Sequence, residues 1–189
     1  MDSTGDGAAR VADEPSLVEL VRGGDHEAFT SLVNRYWDQA FAIAYGFLQH
    51  PEDSEDLVQD AFIRALERLD SLGSGSPFGP WFYRLLVNAA LNRRKYLARR
   101  RTEAVPATAT SFESPGVDSE RAELRRRLWA ALKSLPQDLE TVVVLHDLEG
   151  FKHAEIARVL DIPEGTSRSH LSKARRLLRD RLGEYRPSG

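Results

Sequence analysis

The sequence predicts an all-α protein made of two small helical domains joined by a flexible linker. Apolar residues recur at steps of three and four along most of the 189-residue chain, which is the period of amphipathic helices. The stretch 102–120 interrupts this period and is rich in Pro, Gly, Ser, Thr and Ala, a composition typical of a linker. No stretch of useful length alternates between polar and apolar residues, so a β-sheet is not expected.

Breaks in the helical pattern predict the domain organisation. We expect a disordered N-terminus at 1–15, a helical domain at 16–101, the linker at 102–120, a second helical domain at 121–183 and a tail at 184–189. In the first domain, a short helix before Gly23 precedes long helices that end near His50, Leu69 and Arg101. Ser54 is a candidate N-cap for the middle helix.

The composition excludes several classes of site. The chain contains no cysteine, which excludes disulfides, zinc–thiolate sites, iron–sulfur clusters and cysteine nucleophiles. The polar N-terminus lacks the apolar centre of a signal peptide, and no apolar run is long enough to predict a transmembrane helix. We therefore expect a cytoplasmic protein without a cofactor or a metal ion.

Charge alternates along the chain, although the net charge is −3. Residues 1–60 and 102–120 are acidic, whereas residues 61–101 and 121–189 are basic. A single charge run most often marks a solvated helix face. The alternation favours different partners for different segments once the motifs are considered.

A helix-turn-helix pattern occupies the second domain. A short helix at His153 to Leu160, a turn at Asp161 to Pro163 and a helix from Glu164 to Leu182 follow one another. A second helix in this arrangement can enter the major groove of DNA, and a helical hairpin with a solvated basic face is the alternative. The candidate DNA contacts are Thr166, Arg168, Ser169, Ser172, Lys173, Arg175, Arg176 and Arg179.

The last long helix of the first domain carries a second candidate nucleic-acid surface. Arg84, Asn88 and Asn92 recur every fourth residue and therefore form one row, which basic residues extend. Asn can hydrogen-bond an unpaired base, Arg can neutralise phosphates, and exposed aromatic rings can stack on bases. Trp81 is expected in the core. The candidate contacts are Phe78, Tyr83, Arg84, Asn88, Asn92, Arg93 and Arg94.

The middle helix carries a candidate protein-docking surface. An acidic stripe with one exposed aliphatic residue lies off its apolar face, and an ordinary solvated face is the alternative. The stripe consists of Asp56, Gln59, Asp60 and Ile63.

These motifs together resemble the sigma-70 family of bacterial RNA polymerase initiation factors, in its extracytoplasmic-function group. Region 4 of that family is similar to IPEGTSRSHLSKAR, which starts at Ile162. Region 2.2 is similar to EDLVQDAFIRAL, which starts at Glu55, and regions 2.3 and 2.4 are similar to PFGPWFYRLLVNAALNRRKYLARR, which starts at Pro77. The resemblance covers residues 16–101 and 121–183, and no third domain lies between them.

The resemblance implies a stress-response transcription factor with defined partners. Region 2.2 would dock on the clamp helices of the largest subunit of RNA polymerase core, and region 4 would also meet the flap. Regions 2.3 and 2.4 would recognise and melt the minus-10 promoter element, and region 4 would read the minus-35 element. An anti-sigma factor is an expected partner, without direct membrane insertion. Ser167, His170 and Pro80 depart from the family pattern, which bears on promoter preference.

Parts of the sequence are also compatible with two other functions, a metal-dependent enzyme and a dimeric repressor. The acids Glu52, Asp53, Glu55, Asp56 and Asp60 could be metal ligands of an enzyme, but acids are favoured at a helix start and no histidine completes a site. We therefore expect no enzymatic activity. A dimeric helix-turn-helix repressor would need a dimer interface, for which the sequence offers no coiled coil.

Overall fold

The computed structural model describes residues 13–103 and 119–183, and within these ranges it is helical without a strand. The helices are α1 (Glu14–Arg22), α2 (His26–Leu48), α3 (Pro51–Glu67), α4 (Phe78–Glu103), α5 (Ser119–Lys133), α6 (Gln137–Val143), α7 (His153–Leu160) and α8 (Glu164–Leu182). A 3-10 turn, Leu69–Ser71, follows α3, and a π-helical turn, Val144–Leu148, follows α6. The predicted all-α class is confirmed.

Helix α1 begins earlier than the sequence pattern indicates. It starts at Glu14, inside the stretch expected to be disordered, and the Asp13 carboxylate caps it by accepting from the Ser16 amide. Residues 1–12, 104–118 and 184–189 lie outside the described residues, so most of the expected linker and the expected tail do as well. The ends of the expected linker belong to α4 and α5.

The start of α3 differs from the prediction. Pro51 is the first residue of the helix, and His50 is its N-cap, with Nδ1 3.4 Å from the Asp53 amide nitrogen. Ser54 is buried inside α3, where its hydroxyl donates to the His50 carbonyl at 2.7 Å. The Ser54 N-cap assignment was wrong because proline's fixed φ suits the first turn and starts the helix earlier.

Helices α1–α4, the N-terminal bundle, bury a core rich in aromatic rings. Phe82 of α4 lies at its centre and is fully buried. Its ring stacks on Phe62 at a centroid distance of 4.4 Å and on Phe78 at 5.4 Å. Trp81 is partly buried against the same cluster. These contacts fix the rotation of α4 about its own axis, so they decide which of its residues face solvent.

Helices α5–α8, the C-terminal bundle, contain the predicted helix-turn-helix with the predicted bounds. Asp161, in the turn between α7 and α8, has a φ of 57°, a left-handed conformation that Asp tolerates better than most residues. Ile156 of α7 and Leu171 of α8 are buried between the helices. Before α7, helix α6 gives way to the π-helical turn.

The two bundles pack directly against each other. Helix α4 contacts α7, and α2 contacts the π-helical turn. A close approach occurs at Gly46, where an added Cβ atom would lie 2.8 Å from Cγ1 of the buried Val144. The rings of Tyr83 and Phe151 meet edge to face with centroids 5.2 Å apart. The helical pattern of the sequence contains no indication of this contact.

The close approach at Gly46 predicts an unusual response to alanine. Gly→Ala inside a helix normally stabilises by about 0.5–1 kcal/mol. Gly46→Ala should instead lower the free energy of unfolding, because buried, β-branched Val144 has no room to move. Gly165→Ala on α8 is the control, since no atom lies within 4 Å of its added Cβ. Urea unfolding followed by circular dichroism measures both, and equal stabilisation by the two substitutions would contradict the packing described.

Candidate nucleic-acid interface

The polar row of α4 faces solvent. Arg84, Asn88 and Asn92 are exposed, and Arg93 and Arg94 are half-buried. The opposite side of the helix is buried against α2 and α3 through Phe82 and its neighbours. The spacing therefore predicted the face correctly, while the role of these residues in binding DNA stays a prediction.

Phe78 does not belong to this exposed surface. Its side chain is 1% exposed, and its ring packs on Tyr36 and Trp81 as well as Phe82. Its backbone amide donates to the Glu14 carboxylate at 2.7 Å, which ties α1 to the start of α4. The expectation that Phe78 stacks on a base is therefore corrected: the ring is a core residue and its faces are already covered.

Tyr83 is partly withdrawn from solvent as well. Its ring lies 5.7 Å from Tyr36 and 5.2 Å from Phe151, between the two bundles. Burial raises the pKa of the Tyr83 hydroxyl, and the carboxylates of Glu14 and Glu155 raise it further. The phenol therefore stays neutral at physiological pH, and in this arrangement its ring packs against protein.

Three cations of α4 are paired with carboxylates from other elements. Arg84 binds Asp161 of the helix-turn-helix turn at 3.1 Å, and Arg93 binds Asp53 of α3 at 3.1 Å.

Arg94 binds Glu140 of α6 at 2.5 Å. The Glu140 side chain is 3% exposed, and its other oxygen, Oε2, has no hydrogen-bond partner among the described residues. Burying a carboxylate with half of its acceptors unused is costly, so the Arg94 contact is needed to hold it there.

The stripe on α3 lies on the protein surface. Asp56, Gln59 and Asp60 are exposed, and Ile63 is 56% exposed. Leu66 is 43% exposed and extends the aliphatic part of this surface. An exposed Ile–Leu pair bordered by acids is the composition expected of a docking surface for another protein.

The candidate contacts on α8 are exposed, apart from half-buried Thr166. Two of its arginines are already engaged. Arg168 binds Glu164 one turn away, and Arg175 forms a two-pronged contact with Asp147, with Nε at 3.0 Å and the terminal nitrogen at 2.5 Å. Salt bridges of such exposed groups are weak, so both arginines can exchange their carboxylates for phosphates.

A histidine pair beside α8 was missed by sequence reasoning. The rings of His146 and His153 stack with centroids 4.6 Å apart. His146 Nδ1 lies 2.8 Å from Asp147 Oδ1, and His153 Nδ1 lies 2.9 Å from the hydroxyl of buried Ser167. Ser167, which departs from the pattern of the family that the sequence resembles, was the available clue, because a buried hydroxyl needs a hydrogen-bond partner.

Opposing effects set the protonation of this cluster. Burial acts to raise the pKa of Asp147, but hydrogen bonds from Arg175 and His146 outweigh it and hold the pKa below its usual value. Burial lowers the pKa of His153, and the charges of His146 and Arg168 lower it further. Asp147 is thus ionised, and His153 is neutral over most of the physiological range.

Comparison with known proteins identifies the family. The description "Sigma-70 region 2" matches residues 32–101, and "Sigma-70, region 4" matches residues 125–178, in the order found here. The chain belongs to the sigma-70 family. It is similar to the ECF RNA polymerase sigma-E factor of Escherichia coli strain K12, with 35% identity over 88% of this chain and 92% of the relative. The sigma-E factor of Haemophilus influenzae is 31% identical over 93% of this chain and 97% of that protein.

Solved structures share the fold of this sigma factor. CnrH in complex with the cytosolic domain of CnrY has a TM-score of 0.70 at 24% identity, covering 92% of this chain and 99% of that chain. RpoE in complex with the anti-sigma factor NepR from Bartonella quintana has a TM-score of 0.60 at 23% identity, covering 84% of this chain and 98% of that chain.

Family membership establishes the class of function. The chain is a transcription initiation factor that directs RNA polymerase to promoters, and its family is one of non-enzymatic transcription factors. The exposed row of α4 lies within the segment that matches region 2, and the row of α8 lies, apart from Arg179, within the segment that matches region 4. Among the described helices, none is long and apolar enough to cross a membrane.

The buried ion pair between the bundles predicts a strong non-additive effect on stability. Arg94→Leu should lower the free energy of unfolding by roughly 3 kcal/mol, because it leaves the Glu140 carboxylate buried without a partner. The double variant Arg94→Leu/Glu140→Leu should recover most of this loss, since both charges are removed. Arg93→Leu, which breaks a more exposed pair, should cost less than about 1 kcal/mol. Unfolding in urea of the wild type, Arg94→Leu, Glu140→Leu and the double variant completes the cycle, with Arg93→Leu measured beside it. Additive losses from the two single substitutions would show that the pair is not coupled.

Proposed function

We propose that this sigma factor divides promoter recognition between the exposed faces of α4 and α8 and binds polymerase core through α3. One observation carries the proposal: the two basic, amide- or hydroxyl-bearing rows are solvent-exposed and lie in the segments that match regions 2 and 4. The alternative of an ordinary solvated face does not account for Asn at two successive turns of α4, since Asn is a poor helix former.

The α4 row is suited to an unpaired DNA strand. Asn88 and Asn92 each offer donors and an acceptor to a base edge, and Arg84, Arg93 and Arg94 can hold the strand backbone. The loop between α3 and α4, residues 71–77, adjoins the start of α4 and is a candidate pocket wall for an extruded base. Extruding a base costs a few kcal/mol, so several contacts must act together.

The α8 row is suited to duplex DNA. Arg168 lies near the start of the helix, the part that approaches base edges in helix-turn-helix proteins, and we assign it to reading a guanine in the minus-35 element. Arg179, near the other end, is assigned to a phosphate. Ser169, Ser172, Lys173, Arg175 and Arg176 lie between them on the exposed side of the helix.

Promoter binding by both rows requires the two bundles to separate. The minus-10 and minus-35 elements lie about 25 base pairs apart, which is roughly 85 Å of B-DNA at about 3.4 Å per pair. In the arrangement described, Arg84 of the minus-10 row touches Asp161 of the helix-turn-helix at 3.1 Å. The residues 102–120, proposed as the tether, would allow this separation when core binds.

The arrangement in which the two bundles pack together could also be stabilised by an inhibitory partner protein. Of the structures that share this fold, CnrH was solved with the cytosolic domain of CnrY, and RpoE with the anti-sigma factor NepR. We extend this to an anti-sigma partner for the present chain, which would stabilise the bundles against each other. The site of action is the cytoplasm, where RNA polymerase works.

Core binding through α3 is tested by charge reversal. Asp56→Lys/Asp60→Lys should weaken binding to purified polymerase core by roughly tenfold or more and reduce run-off transcripts from genomic fragments in proportion. Asp38→Lys/Asp70→Lys is the control, with the same change in net charge at other exposed acids. Wild-type protein that yields no specific transcripts with core would overturn the function itself, whereas unchanged core affinity of the α3 variant would overturn only the docking site.

Strand opening by the α4 row is tested with alanine variants. Asn88→Ala and Asn92→Ala should leave core binding intact and lower the permanganate reactivity of promoter thymines by roughly tenfold, because contacts to unpaired bases are lost. Asn34→Ala, an exposed Asn of α2, is the control. A premelted bubble template should restore transcription if melting is the defect. Open complexes with normal reactivity in both variants would rule out the proposed role.

A further inference from the structure

A concave groove lies beside α8 and is strongly cationic. Its volume is about 430 Å³. It is lined by His153, Arg168, Leu171, Ser172, Arg175, Arg176 and Arg179. Most of its polar lining consists of guanidinium groups, which match the geometry of a phosphate, and the groove is open enough for a group on a chain to enter.

Part of this positive charge has no internal counter-charge. Glu164 and Asp147 pair with Arg168 and Arg175, whereas Arg176 and Arg179 have no ion-pair partner within the described residues. Glu164 and Asp147 therefore neutralise only two of the four arginines that line the groove. The excess positive charge on its wall therefore favours an anion.

His153 is the residue that α7 contributes to this groove. Because its Nδ1 is engaged by Ser167, a ligand in the groove would meet Nε2. The charged and titratable groups that surround the ring are His146 and Asp147 from the π-helical turn, and Glu164, Arg168 and Arg175 from α8. Burial of the ring, together with the charges of His146 and Arg168, lowers the pKa of His153, so in the free protein the ring binds a proton less readily than an isolated histidine.

We propose that the groove holds one phosphate group of the DNA backbone at the minus-35 element, and that His153 binds it in the protonated form. The inference rests on the proposed role of α8 and adds a contact from α7, which sequence reasoning did not assign. A phosphate beside the ring adds negative charge that stabilises the imidazolium form, so binding takes up a proton. Affinity for DNA then rises as pH falls, and the contribution is lost above the pKa of His153 in the complex.

The test uses the full chain and a labelled random-sequence duplex, because a phosphate contact is independent of sequence. Fluorescence anisotropy at low salt should show affinity rising roughly three- to tenfold between about pH 8 and pH 6. His153→Ala should lose this pH dependence. His153→Lys should lose it too and bind more tightly than wild type at the higher pH, since its charge is permanent. His26→Ala, an exposed histidine of α2, should behave as wild type.

A second measurement identifies the titrating ring and the source of the phosphate. The NMR titration of the His153 ring should shift to higher pH with the duplex and not with inorganic phosphate at millimolar concentration. A pKa that rises with inorganic phosphate, without competition from the duplex, would make the groove a free-phosphate site and overturn the proposal. A rise at His146 in place of His153, or pH dependence that persists in His153→Lys, would overturn it as well.

The failure of this inference is distinct from failure of the proposed function. Core-dependent transcription by the wild-type protein tests the function, and it does not depend on His153. If transcripts are specific and the affinity of the wild-type chain for DNA does not change with pH, the function stands and the His153 contact is wrong.

Discussion

The packing of α4 is the constraint on which both halves of the molecule depend. One side of this helix carries Phe82 into the aromatic core against α2 and α3. The same helix reaches Glu140 of α6 through Arg94, and it also contacts α7. Because the aromatic core fixes the rotation of α4, the polar row beginning at Arg84 has to face away from it. The orientation of this row, which is proposed to bind the minus-10 element, is therefore a consequence of hydrophobic packing on the other side of the helix.

Carboxylates occupy many of the cations that are proposed to bind DNA. Arg84, Arg93 and Arg94 on α4, like Arg168 and Arg175 on α8, are each held by an Asp or a Glu. Exchange of a carboxylate for a phosphate conserves the type of contact, so it costs little where the pair is exposed. The buried Arg94–Glu140 pair differs, because separating it moves a nearly inaccessible carboxylate into water.

The exposed ion pairs on the surface therefore differ in energy from the buried Arg94–Glu140 pair, which joins the two bundles. The exposed pairs are weak, so breaking them costs little when a phosphate takes the place of the carboxylate. The Arg94–Glu140 pair joins α4 to the C-terminal bundle, and the close approach at Gly46 joins α2 to it. Release of these contacts would free both of the rows that are proposed to bind DNA.

The sequence by itself determined the helical class, the bounds of α7 and α8 and the solvent-facing row on α4, because the period of apolar residues reports which face of a helix is buried. It also determined the family, through two motifs in order. The period of apolar residues in one helix cannot show which other helix packs against its buried face. The burial of Phe78, the pairing of Arg94 with Glu140 and the stack of His146 on His153 join residues from different elements. Only the tertiary structure decided these contacts, because they depend on how separate helices meet in space and not on the local pattern of any one of them.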